Sequence, residues 1–144
     1  MTFTFEVTDT FKSKLKNFGN AEKKKVVTFI TAFQKGGFSA IDNFIIKDDK
    51  KEYKVRNKSS DNVRTDDPDF VNKVKFAIDN KLWHFHAGFY AMDAGNIQGY
   101  NISERGDLTS QWVIHYQKFT DKHIKAVDIT PHPPFDLPKE DALK

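Results

Sequence analysis

Leu82-Trp-His-Phe-His-Ala-Gly-Phe-Tyr90 is the stretch on which the fold turns. Trp83, Phe85, Ala87 and Phe89 alternate there with His84, His86, Gly88 and Tyr90. A period of two marks a strand, because successive side chains leave on opposite faces. The aromatic set therefore points to a core. His84 and His86 share the other face, roughly 6.5–7 Å apart along the strand. Two later runs repeat the pattern. Gln111 to Phe119 sets Trp112, Ile114 and Tyr116 against Val113, His115 and Gln117. Residues 123–130 set Val127 and Ile129 against Ala126, Asp128 and Thr130. If the strands are neighbours, His115 joins the histidine face, and Thr130 and His132 reach it from the C-terminal edge. A buried strand has no need of two histidines on its second face, so that face is expected to be open to solvent.

Working upstream, Phe3, Phe5 and Val7 alternate with Thr4 and Glu6 as a short first strand. Thr8-Asp9-Thr10 supplies N-cap chemistry, and Phe11, Leu15 and Phe18 form one apolar stripe of a helix. Asn20 caps a second helix from about Ala21 to Lys35, with Val26, Val27, Ile30 and Phe33 inward, and Gly36-Gly37 stops it. Glu52-Tyr53-Lys54-Val55-Arg56 reads as a strand within a polar connection. Asp67-Pro68 opens a third helix with a stripe of Phe70, Val74, Ala77 and Ile78. Residues 91–108 are rich in Gly, Asn and Asp and read as a long hairpin loop, a feature often functional in a compact domain. The prolines of 130–138 lack N–H donors and predict an extended tail over the domain. The expected fold is a single α+β domain over 1–144, with a helical hairpin packed on a mostly antiparallel twisted sheet.

At 144 residues the chain is long enough to bury a real core, and twenty aromatic residues argue against disorder. It contains no cysteine, which removes disulfides, thiol nucleophiles and Cys-ligated zinc. No apolar run nears the ~18 residues of a membrane span. The N-terminus lacks the basic and apolar regions of a signal peptide, so a cytoplasmic protein is expected. The net charge of +3 hides an asymmetry: residues 1–60 carry 13 basic against 7 acidic side chains. Such a patch suits phosphates, although Lys-rich helices also carry a solvated face for its own sake.

The same-face histidines leave three readings open. They suit general acid–base catalysis, because imidazole titrates near neutrality. They suit a metal site, because His-x-His with a third histidine is a ligand set. They equally suit inert polar positions on a wet sheet face. Lys54 and Arg56 share one strand face and suit a phosphate clamp or a charged edge strand. Arg105, before Thr109-Ser110, reaches over the sheet or is an ordinary surface arginine. Tyr90 falls on the histidine face and suits base stacking. Tyr116 falls on the core face and packs. Asp128 orients a histidine or is solvated.

Lys81-Leu-Trp-His-Phe-His-Ala-Gly88, Leu108-Thr-Ser-Gln-Trp-Val-Ile-His-Tyr116 and Asp128-Ile-Thr-Pro-His-Pro-Pro-Phe-Asp-Leu-Pro138 are similar to segments of YafO-like toxins. The order of strand, helical hairpin and antiparallel sheet resembles the wider RelE/ParE superfamily. The resemblance covers the C-terminal half in sequence and the N-terminal hairpin in character. It implies the toxin of a type II toxin–antitoxin pair, an endoribonuclease that cuts mRNA on ribosomes and so inhibits translation. It implies no metal or other cofactor, mRNA on a concave sheet face, and an antitoxin as protein partner. The positions it carries over are His84, His86, His115 and His132 as catalytic candidates, with Thr109 and Ser110 beside the substrate. Lys54, Arg56, Tyr90 and Arg105 complete the expected substrate-binding set. The chain departs from the family pattern in its length, the insert at 91–107 and its modest charge. Cleavage without metal needs a base for the 2′-OH, a cation for the phosphorane and an acid for the leaving 5′-oxygen, and two histidines with a basic group supply all three. The rivals are a non-catalytic protein-binding or immunity-type module of the same fold, and a metal-dependent hydrolase on the histidines.

Overall fold

The computed structural model describes residues 2–88, 98–131 and 137–144. The elements run β1 (Thr4–Val7), α1 (Asp9–Lys16), α2 (Asn20–Asp42), β2 (Ile45–Asp48), β3 (Lys51–Lys54), β4 (Asn57–Ser59), α3 (Phe70–Asp79), β5 (Leu82–His86), β6 (Asn101–Ile102), β7 (Leu108–Thr109), β8 (Trp112–Thr120) and β9 (His123–Pro131). A short 3₁₀ helix, Glu140–Leu143, follows.

The three strands read from alternation are the centre of the molecule. One sheet has the order β1-β9-β8-β5-β4, antiparallel throughout except for the parallel pairing of β1 with β9. The fold is thus mixed, with helices and a mainly antiparallel sheet. Register sets Trp83 opposite Tyr116 and Phe85 opposite Ile114 on one face. Phe29 of α2 lies on that face, its ring 4.7 Å from Phe85 and 5.7 Å from Tyr116. Phe11, Val26, Phe33, Ile114, Ile124 and Ile129 are buried in the same cluster. Thr8 caps α1 as expected, its hydroxyl accepting from Phe11 N–H and donating to the Val127 carbonyl.

Three expectations change. The second helix does not end at Gly36-Gly37. It breaks at Gly37, where φ is +71°, and resumes to Asp42, because Phe38 N–H is taken up by the Asp121 carbonyl at 2.9 Å. The expected strand 52–56 is divided. Residues up to Lys54 pair with β2 in a separate two-stranded sheet, while the chain beyond Val55 feeds β4 and the main sheet. The third helix starts at Phe70, because Asp67 spends its carboxylate on the Asp69 N–H and the Lys73 ammonium. Its Ala77 is buried, but Ile78 of the expected stripe is 57% exposed.

The second face of the sheet is shared between two coverings. Leu82 and Val127 lie in an apolar cluster with Ala77, Phe76, Leu137 and Leu143, so α3 and the C-terminal residues roof that half. The histidines occupy the other half. Within the expected 91–108 loop, β6 and β7 form a small hairpin, and Tyr100 is buried in the main core.

Candidate functional site

Strand pairing places four polar side chains in one row across the second face. Lys58 of β4 is opposite His84 of β5, His84 is opposite His115 of β8, and His115 is opposite Asp128 of β9. One step along, His86 lies opposite Val113, which lies opposite Thr130. The expected gathering of His84, His86, His115 and Thr130 on one face is therefore found. The imidazole centroids are 5.9 Å apart for His84–His86 and 6.5 Å for His84–His115.

The expected exposure is not found. His84 is 6% exposed, His86 1% and His115 0%. The physical reason is that each ring is packed against a local partner as well as against its neighbours. His84 Nδ1 lies 3.1 Å from the Ser60 hydroxyl. Ser110 N–H donates to His86 Nδ1 at 2.8 Å. His115 Nε2 lies 2.6 Å from the Thr130 hydroxyl. Burying polar groups is costly unless they are paired, and these contacts offset that cost at one nitrogen of each ring.

Several other candidates are diverted to structural work. Ser110 is buried, accepting from Gly88 N–H and donating to the Trp112 carbonyl. Thr109 lies in β7, paired with Asn101. Asp128 is engaged by the Lys14 ammonium at 2.5 Å and also accepts from Ile129 N–H. Tyr116 packs as expected, its hydroxyl bonded to Asn57 Oδ1 at 2.5 Å. Arg56 is not a free half of a clamp with Lys54: its guanidinium grips Asp107 in a bidentate pair at 2.8 and 2.9 Å, while Lys54 is exposed and pairs with Ile45 at the open end of the β2–β3 hairpin. Burial pushes the Asp107 carboxyl up, but hydrogen bonds from Arg56 and Ser103 and the Arg56 charge outweigh it, so it titrates below its ordinary value. Tyr90 and His132 lie outside the described residues.

Sequence reading missed Lys58. It is half-buried at the end of the histidine row. Burial, and then the charges of Arg105 and Arg56, hold its ammonium below its ordinary range, with Asp107 opposing them. The signal lies in the alternation itself, since Arg56 and Lys58 share a parity. Exposed Arg105 belongs to the same cluster, as its charge is felt at Lys58. The arrangement joins an amine with a lowered pKa, an imidazole across the strand pair, the Arg105 guanidinium and the Arg56–Asp107 pair at the sheet edge. Among the described residues no three His, Asp or Glu side chains assemble as a metal-ligating group. Among the same residues, no helix is long and apolar enough to cross a membrane.

Comparison with protein-family models, with curated proteins and with solved structures found no match to this chain.

Proposed function

We propose that this chain is a metal-independent endoribonuclease, the toxin of a type II pair, acting on mRNA at the Lys58 end of the histidine row. The observation that carries the reading is the cross-strand pairing of Lys58 with His84, beside the charges of Arg56 and Arg105. Directly opposed residues of an antiparallel pair hold their Cβ atoms roughly 4.5–5.5 Å apart, so both side chains reach one phosphodiester. Lys58 acts as the base for the 2′-OH, because burial and the charges of Arg105 and Arg56 shift its amine toward the neutral form relative to an ordinary lysine. Arg105, with Arg56 behind it, stabilises the phosphorane charge. His84 protonates the leaving 5′-oxygen, its ring set by Ser60. The products are a 2′,3′-cyclic phosphate and a 5′-hydroxyl. His86 and His115 are positioning residues, holding the Ser110 and Thr130 segments against the row. An antitoxin that covers the Arg56–Lys58–Arg105 edge would silence the site, and the ribosome is the expected place of action.

Inducible expression in bacteria tests this. Wild type arrests growth and fragments mRNA, purified chain cleaves RNA in the presence of chelator, and Lys58→Met and His84→Gln each lose both effects. Intact mRNA and normal growth with the wild type would sink the proposal.

A second reading is favoured by the burial of His86 and His115, which gives the row a purely structural role. The chain is then a non-catalytic module that binds a protein through the same basic edge. Lack of toxicity, with a partner captured by wild type and lost with Arg105→Glu, distinguishes it.

A further inference from the structure

On the opposite face of the sheet from the histidines, a cavity of about 220 Å³ opens between α2, β2 and the turn at Gln98–Tyr100. Its walls are the rings of Phe29, Phe44, Phe85 and Tyr100. Phe44 meets Phe85 edge-on, with centroids 5.8 Å apart, and Phe29 lies tilted against Phe85. The rings thus stand as fixed planes around the space. Among the described residues that line it the cation is Lys25, whose Nζ lies 4.9 Å from the centre of the Tyr100 ring and also donates to the Gln98 carbonyl. Gln98 is itself tied down, its side-chain amide donating to the Lys47 carbonyl at 2.9 Å.

The wall made by this turn is held in place by backbone contact. Gly99 has φ +91°, and a Cβ there would stand 1.9 Å from the Gly88 carbonyl oxygen and 3.2 Å from Lys25 Nζ. Only glycine lets the turn approach so closely. Tyr100 is 3% exposed, and burial pushes its hydroxyl well above the ordinary phenol range, so it presents a neutral face. The cavity is therefore a built feature with aromatic sides and a positive mouth.

We propose that this cavity is a binding site for single-ring aromatic carboxylates. Size fits, since an apolar cavity of ~150 Å³ already holds benzene. Shape fits, since rings at these separations favour edge-to-face and offset contacts with a further ring. Charge fits, since an ammonium has three donors, and the hydrogen bond to Gln98 leaves capacity for a carboxylate. Burial lowers the Lys25 pKa, and an anion beside it offsets that penalty. The site is independent of the ribonuclease reading, because its residues belong to the helix-covered face.

The test is a titration of the ¹⁵N-labelled full chain with benzoate, followed by amide shifts, with benzamide as the neutral control of the same shape. The expected result is saturable shifts confined to the surroundings of Thr28, Phe44, Phe85 and Tyr100, with a dissociation constant of ~1 mM or tighter for a ligand of this size. Benzamide binds about tenfold more weakly or worse. Lys25→Met, which keeps the aliphatic stem, weakens benzoate by a similar factor. Thr28→Trp, at an exposed helix position on the rim, blocks the mouth without touching the core and removes the shifts. Absence of saturable shifts at these residues overturns the proposal. So does benzamide binding as tightly as benzoate, or undiminished benzoate binding by either folded variant.

Discussion

On one face of the five-stranded sheet, Phe85, Ile114 and Tyr116 meet Phe29 and the rest of the apolar cluster beneath α2. On the other, His84, His86 and His115 meet Ser60, Ser110 and Thr130. Both sets are buried, but by different physics. The first needs only shape and area, and gains from every methylene removed from water. The second gains little from area and must satisfy each polar atom individually, because an unpaired buried donor or acceptor carries its full desolvation penalty. An apolar face is stable by default, whereas a buried histidine row stands only while its serine and threonine partners stay in place. The site proposed for RNA cleavage would lie on the second kind of surface, at its less buried end, where Lys58 sits.

The comparison can be broken or sharpened by mutation. The largest effect belongs to the apolar face: Phe29→Ala leaves a hole among Phe85, Tyr116 and Phe5 and should lower stability by about 3–5 kcal/mol, read from urea unfolding. If the helix side tolerates it with little loss, the apolar face is less tightly packed than these contacts require. Next is Lys58→Met, expected to reduce RNA cleavage by roughly 100-fold or more if the lysine is the base. Its stability effect has the opposite sign. A folded pKa below that of the unfolded chain opposes folding while the lysine is charged. Wild-type stability should therefore rise with pH from the folded pKa up to about the ordinary lysine value, and the methionine variant should be the more stable at pH 7, with the gap closing in alkali.

A smaller loss is expected from His86→Leu. It keeps volume but deprives Ser110 N–H of its acceptor, and should lower stability by about 1–3 kcal/mol. Equal stability of this variant would mean that the polar pairing is dispensable and the two faces differ only in composition. The smallest effect is at the edge: Asp107→Asn loosens the Arg56 pair and should lower stability by about 1 kcal/mol at pH 7. Because the Asp107 carboxyl titrates below its ordinary value in the folded chain, its contribution is complete above the unfolded carboxylate pKa. It is lost as pH falls through the folded one. The wild-type advantage should accordingly vanish in acid, which a pair of pH–stability curves will show.

How far the sequence could be read differs between these same regions. β5, β8 and β9 were legible because period-two alternation reports which side chains share a face, and the parallel placement of His84, His86 and His115 follows from it. The division of residues 52–59 between two sheets was not legible, since Lys54 and Lys58 differ in nothing local; only the pairing of β4 with β5 separates them. The helix break at Gly37 was signalled by Gly36-Gly37, but its continuation depends on Phe38 meeting the Asp121 carbonyl, a contact across more than eighty residues. The burial of the histidines is not legible in the sequence for a related reason. Alternation tells that two residues share a face, and says nothing about what covers that face.

By itself, then, the order of residues determined the strong periodicities: that β1, β5, β8 and β9 are strands, that α1, α2 and α3 are helices, which side chains travel together in them, and that an aromatic core exists. Those properties are local, set by backbone geometry and the spacing of apolar groups. Tertiary structure alone decided that Ser60, Ser110 and Thr130 would seal the histidine row and that Arg56 would be held by Asp107. It also decided that Lys58 would stand opposite His84 and that Lys25 would border an aromatic cavity beside Tyr100. These are encounters between distant parts of the chain, and their energies depend on burial and on neighbours that come together only on folding.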